Sequence, residues 1–180
     1  MTSKISIFAI IGSASKNSSS EKLVEIIANS TEDIFNVTIF NDLKSLPHFD
    51  PEITYENPPK EIVNFRTKIA KADGIIICTP EYVFSIPSGL KNAIEWCVAT
   101  TVFSNKIIGL ITASASGQKG HEELKLIMKT VMAKFNDKTT LLIQGIKGKI
   151  NEQGQLIDEK TKSEFSVFIS EYKNLVLNSI

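Results

Sequence analysis

The apolar positions of this chain fall into five short runs, each followed by a polar stretch and then by apolar residues spaced three and four apart. The runs are Lys4 to Ile11 (KISIFAII), Asn36 to Phe40 (NVTIF), Gly74 to Cys78 (GIIIC), Ile107 to Thr112 (IIGLIT) and Thr139 to Ile143 (TTLLI). They are short and rich in β-branched residues, the pattern of strands buried on both faces of a parallel sheet. Between them lie the stripes Leu23, Val24, Ile26 and Ile27; Glu61 to Ala70; Leu90, Ala93, Ile94 and Cys97; Leu124, Ile127, Met128 and Val131; and, last, Phe165 to Leu177. Such stripes predict helices with one face on a core. Ser18 or Ser20 suits the N-cap of the first, with Glu21 in its first turn, and Ser88 the N-cap of the third.

Strand and helix in alternation make βαβ units with right-handed crossovers. The expected fold class is therefore α/β: a flavodoxin-like, doubly wound, five-stranded parallel sheet of order 2-1-3-4-5 in three α/β/α layers. No repeat or linker divides the sequence, so residues 1–180 are read as one domain. In such a sheet a ligand sits outside the carboxyl ends of the strands, beside the first and third, where strand order reverses. The loops after strands one, three and four are expected to meet there. The Pro-rich stretch Leu43 to Pro59 is long for a connection in a compact domain and points to function or an interface.

Composition narrows the partners. Lys plus Arg and Asp plus Glu are 20 each, which leaves no net field to hold nucleic acid or an anionic membrane. The opening MTSKISIFAI breaks at Gly12, short of a secretion signal, and no later run reaches the length of a membrane span. Cys78 and Cys97 have neither zinc nor redox-pair spacing and are read as core residues of a cytoplasmic protein. No metal site is expected.

Three loops carry the candidate chemistry. GSASKNSSSEKL supplies the hydroxyls of Ser13, Ser15, Ser18, Ser19 and Ser20, the cation Lys16, and amides at a helix start, which are the parts of a phosphate site. It is neither a Walker loop nor a GxGxxG fingerprint, and an ordinary capped helix remains an alternative. After strand three, Pro80, Glu81, Tyr82 and Phe84 stand where a flat ring could lie; a rigid turn covering the core is the alternative. After strand four, Gly117 and Gly120 in Ser114 to Gly120 permit close backbone approach to a planar ligand.

These residues resemble the NADPH-dependent FMN reductases, a family of flavodoxin-like fold that includes quinone, azo-dye and chromate reductases. The family's GSxRxxSxNxxL is matched at Gly12, Ser13, Ser18 and Leu23, with Ser15 and Ser20 in place of Arg and Asn. Its PEYNxSxPGxLKNAIDW is matched by PEYVFSIPSGLKNAIEW at Pro80, Glu81, Tyr82, Ser85, Pro87, Leu90 to Ile94 and Trp96. LPHFDPE and SASGQKG also look like family segments. The resemblance implies that Ser13, Lys16, Ser18 and Ser20 hold the FMN phosphate, and that Pro80 to Ser85 (Val83 included) and Ser114 to Gly120 (Gln118 included) flank the isoalloxazine. Ser15 removes a bidentate donor to phosphate, for which the point charge of Lys16 is a poorer match. Val83 in place of Asn removes an amide near the ring.

The implied activity is hydride transfer from NADPH or NADH to FMN, then two electrons to a quinone, azo compound, free flavin or chromate. The cofactor carries such chemistry, so no catalytic residue is assigned, and amides of the Gly117 to Gly120 loop are expected to stabilise the reduced ring. His48 and His121 are read as surface residues. The resemblance further implies a homodimer or homotetramer. The alternative function is a non-enzymatic, flavodoxin-type electron carrier, against which the balanced charge argues, since it gives no steering field. A receiver module would need acidic residues where Ile11, Gly12 and Ser13 stand.

Overall fold

Five parallel strands, β1 (Ile5–Ile11), β2 (Phe35–Phe40), β3 (Gly74–Thr79), β4 (Ile107–Ser114) and β5 (Thr140–Gln144), pair in the order β2-β1-β3-β4-β5. This is the expected flavodoxin-like order, seen in a computed structural model that describes residues 4–179. Residues 1–3 and 180, the ends of the expected domain, lie outside the described residues. The helices are α1 (Ser19–Ser30), α2 (Lys60–Lys71), α3 (Ser88–Val98), α4 (Gln118–Thr130) and α5 (Glu159–Leu177).

Strand residues alternate between two cores because successive side chains leave opposite faces of a sheet. Phe8 and Ile10 of β1 and Ile75 and Ile77 of β3 pack with α2, α3 and α4. Ile7, Ala9, Ile11, Ile76 and Cys78 pack with α1 and α5. That double burial is why the strands read as unbroken apolar runs. On the second face α5 lies close to the sheet because Gly74 and Gly109 leave room for its rings: an added Cβ would come within 2.5 Å of Tyr172 Oη or 2.9 Å of Phe168 Cζ. The helix begins six residues before Phe165, since the Asp158 carboxylate accepts from Thr161 N at 2.9 Å and starts it there. Ser88 is not the cap of α3; Pro87 holds that position with no side-chain bond.

The long Leu43 to Pro59 connection is fastened to the first core. Trp96 is buried and its Nε1 donates to Pro47 O at 2.8 Å, while Phe49 meets its ring edge-on at 5.3 Å. Asn92, one turn earlier, donates to Pro47 O at 2.9 Å and accepts from Phe49 N at 2.7 Å. Arg66 of α2 joins Thr54 O, at 3.0 Å, to Trp96 O, at 2.8 Å. The LKNAIEW segment thus holds the loop whose first residues border the site.

Candidate functional site

A cleft of about 680 Å³ opens at the carboxyl ends of β1, β2 and β3. One end is the loop after β1. Gly12 begins it, and only glycine fits there, since a Cβ would lie 2.3 Å from Thr79 Oγ1. Ser13, Ser15 and Lys16 line the wall. Asn17 follows with φ +53°, a left-handed turn that Asn tolerates, and its N–H points to Glu21 at 3.0 Å. Tyr82, Pro87 and Ser88 line the same cleft.

The segment after β3 is a tight hairpin. Tyr82 and Ser85 exchange two backbone bonds, at 2.9 and 3.0 Å, around Val83 (φ +52°) and Phe84 (φ +56°). Two successive left-handed residues make a type I′ turn, which favours Asn-Gly and strains a β-branched residue. Val83 is 94 % exposed and Phe84 75 % exposed. Two carboxylates hold this hairpin to α4. Glu81 accepts from Gly117 N at 3.1 Å and from Gly120 N at 2.8 Å, one oxygen each. Glu123 returns the tie, accepting from Ser85 Oγ at 2.6 Å and Ile86 N at 3.2 Å.

Of the sequence-predicted residues, the structure gathers Ser13, Ser15, Lys16 and Tyr82 at the cleft. Ser18 spends its hydroxyl on Glu21 N at 3.2 Å as the N-cap of α1, and Ser19 is the first helical residue. Ser20 is buried beside Cys78, on the face shared with Val24 and Ile27, so it points into the core and not to a phosphate. Pro80 and Ser114 are half-buried beneath the hairpin, with Ser114 Oγ 3.5 Å from Glu81 O. Gly117 and Gly120 are buried and bonded to Glu81, so their amides do not face the cleft; their lack of a side chain serves packing, since a Cβ would meet Leu142 at 2.9 Å and Glu81 at 3.2 Å respectively. Gln118 bonds along the helix surface to Glu122 at 3.2 Å. Sequence reasoning missed Glu21 as a lining residue and missed the loop after β2, where Asn41, Asp42 and Lys44 form one wall. The strand order could have found them, because β2 ends beside β1 at the same edge.

His121 is not a surface residue. It is half-buried with Nδ1 2.9 Å from Thr112 Oγ1, and burial, assisted by nearby Lys125, lowers its pKa to about 4. The imidazole is neutral near pH 7. Cys78 and Cys97 are buried and their thiols are pushed up to about 12 by desolvation, which removes both as nucleophiles. Among the described residues no cluster of His, Cys, Asp or Glu could hold a metal ion, and no helix is long and apolar enough to cross a membrane.

The donor set suits FMN. Hydroxyl and ammonium groups in the lining match a phosphate, an aromatic and a proline in the same lining match a flat ring, and the volume lies within the usual ligand range of about 300–1,000 Å³.

Comparison with known proteins agrees. The family profile described as NADPH-dependent FMN reductase matches residues 5–146. The NADH:(hydroxy)cinnamate reductase subunit CrdA of Vibrio ruber is 27 % identical over 170 residues, covering 91 % of this chain and 83 % of that protein. A quinone reductase of Escherichia coli is 26 % identical, with 89 % of each chain covered. Among solved structures, the flavoenzyme NAD(P)H:(acceptor) oxidoreductase FerB from Paracoccus denitrificans has the same fold, with a TM-score of 0.80 at 21 % identity over 97 % of this chain and 98 % of that one.

Proposed function

This chain belongs to the NADPH-dependent FMN reductase family, and from that premise we propose that the cleft binds FMN and that the protein reduces a small acceptor such as a quinone, azo compound, free flavin or chromate. It is an oxidoreductase with FMN as cofactor and NAD(P)H as electron donor. When bound, FMN would supply the two-electron redox chemistry between NAD(P)H and the acceptor. The protein's share is binding and orientation. Ser13, Ser15 and Lys16 receive the phosphate end, and Tyr82, Pro87 and Ser88 bound the ring end. Glu81 and Glu123 do not touch the ligand in this reading; they hold the Tyr82 to Ser85 hairpin at the rim so that its position is set before anything binds. The neutral His121 and the protonated cysteines take no part.

The observation that carries the reading is the cleft itself: hydroxyls and an ammonium of the β1 loop and an aromatic line one space of about 680 Å³ at the point where strand order reverses. Stopped-flow mixing of the FMN-loaded protein with NADPH and with NADH tests it. Bleaching of the flavin absorbance by at least one donor is expected; a flavin left oxidised by both overturns the enzyme reading and revives the electron carrier. We further propose that residues 1–180 act as one domain, that the protein is cytoplasmic, in keeping with its two free thiols, and that it assembles as a homodimer or homotetramer. Light scattering that returns a monomer at micromolar concentration refutes the assembly.

A further inference from the structure

The loop that the proposed function assigns to the FMN phosphate already holds an anion of the protein's own. Glu21 Oε2 accepts from the Asn17 N–H at 3.0 Å, and Oε1 accepts from Asn41 Nδ2 at 2.5 Å. With Ser18 Oγ on Glu21 N, the start of α1 is closed in the manner of a capping box. Glu21 lines the same cleft as Ser13, Ser15 and Lys16. Along that lining Lys16 and Lys44 are matched by Glu21 and Asp42, so the wall carries no net charge. Glu25 and Glu152 border the adjoining groove with Glu21, and the cation beside them, Lys22, gives its ammonium to the carbonyls of Asn151 and Glu152. An entering phosphate gains from the helix start and from Lys16, yet must lie against a fixed carboxylate. Ser15 stands where the resembling motif has Arg, so no bidentate cation offsets that repulsion.

Taking FMN occupancy of the cleft as the premise, we infer that Glu21 sets the affinity of the phosphate end and makes FMN a dissociable, exchanging ligand of this protein. The repulsion acts on the phosphate alone, so riboflavin, which lacks it, is blind to Glu21. The wild type then gains little from the phosphate, and FMN and riboflavin bind within about tenfold of each other.

Fluorescence-quenching titrations of the flavin-free full chain with FMN and with riboflavin test this, in the wild type and in Glu21→Gln, which keeps an acceptor for Asn17 and removes the charge. The variant is expected to bind FMN about tenfold more tightly, with riboflavin unchanged, and to show a steeper loss of FMN affinity with salt. Unchanged or weaker FMN binding in the variant overturns the inference, as does an equal change for both flavins, which would mean that Glu21 acts through the fold. The wild-type comparison needs no variant: FMN held more than about a hundredfold tighter than riboflavin also overturns it. Binding of neither flavin by either protein strikes instead at the FMN reading of the cleft.

Discussion

At Val83 the residue type and the backbone disagree. A β-branched side chain at φ +52° clashes with its own main chain, and its 94 % exposure means no packing repays the strain. Val83→Asn places a residue that tolerates the left-handed region at the same turn position. It is expected to stabilise the protein by about 0.5–1.5 kcal/mol, read from the urea midpoint at unchanged slope. A wild-type residue that costs stability at the rim of a ligand cleft is the pattern of a position kept for binding, so the same variant should also alter acceptor preference. His121 presents the opposite case, a group that stabilises by staying neutral. Its folded pKa of about 4 lies below the usual 6.5, so the unfolded chain binds the extra proton between those values. Its contribution is therefore complete above about pH 6.5 and is lost as the pH falls towards 4. Allowing for screening of a partly exposed ring, the loss is about 1–2 kcal/mol. Urea unfolding at pH 7 and pH 4.5 should show this difference in the wild type and a smaller one in His121→Gln.

At the scale of elements, two loops that the chain separates become one unit. Glu81 and Gly117 are 36 residues apart, yet the carboxylate closes the start of α4, and Glu123 closes the hairpin in return. Glu81→Gln keeps the side-chain shape but only one acceptor oxygen for two amides. It should cost about 1–3 kcal/mol and speed hydrogen exchange at Gly117 and Gly120. Combined with Glu123→Gln the losses should be non-additive by about 0.5 kcal/mol or more, because both act on the same hairpin; strict additivity would mean two independent fastenings. From sequence, Pro80 marks the end of β3 and PEYVFS stands where a flat ring could lie, with a rigid turn covering the core as the alternative; the structure shows a turn there, but one that leaves Val83 and Phe84 exposed. What Glu81 does was not legible, because a cap made from another loop has no local spacing. Nor was the start of α5 at Glu159, since apolar periodicity marks the buried face and not the polar turns before it.

Across the whole molecule the topology was readable because the central strands β1, β3 and β4 are buried on both faces, so β1 and β3 announce themselves as IFAII and GIIIC without reference to the rest of the chain, whereas the edge strand β2 exposes Asn36 and Thr38 and is not the doubly buried strand expected. The cleft was half readable: Ser13, Ser15 and Lys16 follow the first strand in a recognisable loop, whereas Asn41 to Lys44 reach the same cavity only through strand order. A site assembled from three separate loops has a thermodynamic consequence. Each loop alone opens locally at lower cost than the sheet beneath it, and a ligand that touches all of them binds only the closed arrangement. At a free FMN concentration of a hundred times its Kd, linkage adds about 2.7 kcal/mol, which for a chain of this size raises Tm by about 5–10 °C. Exchange should slow at the amides of Ser13 to Asn17, of Asn41 to Lys44 and of Tyr82 and Ser85, while Ile76 and Ile77 in the buried sheet change only through global unfolding. Protection confined to one of these loops would place the flavin somewhere other than this cleft, and a Tm that does not move with FMN would mean that the folded protein does not bind it.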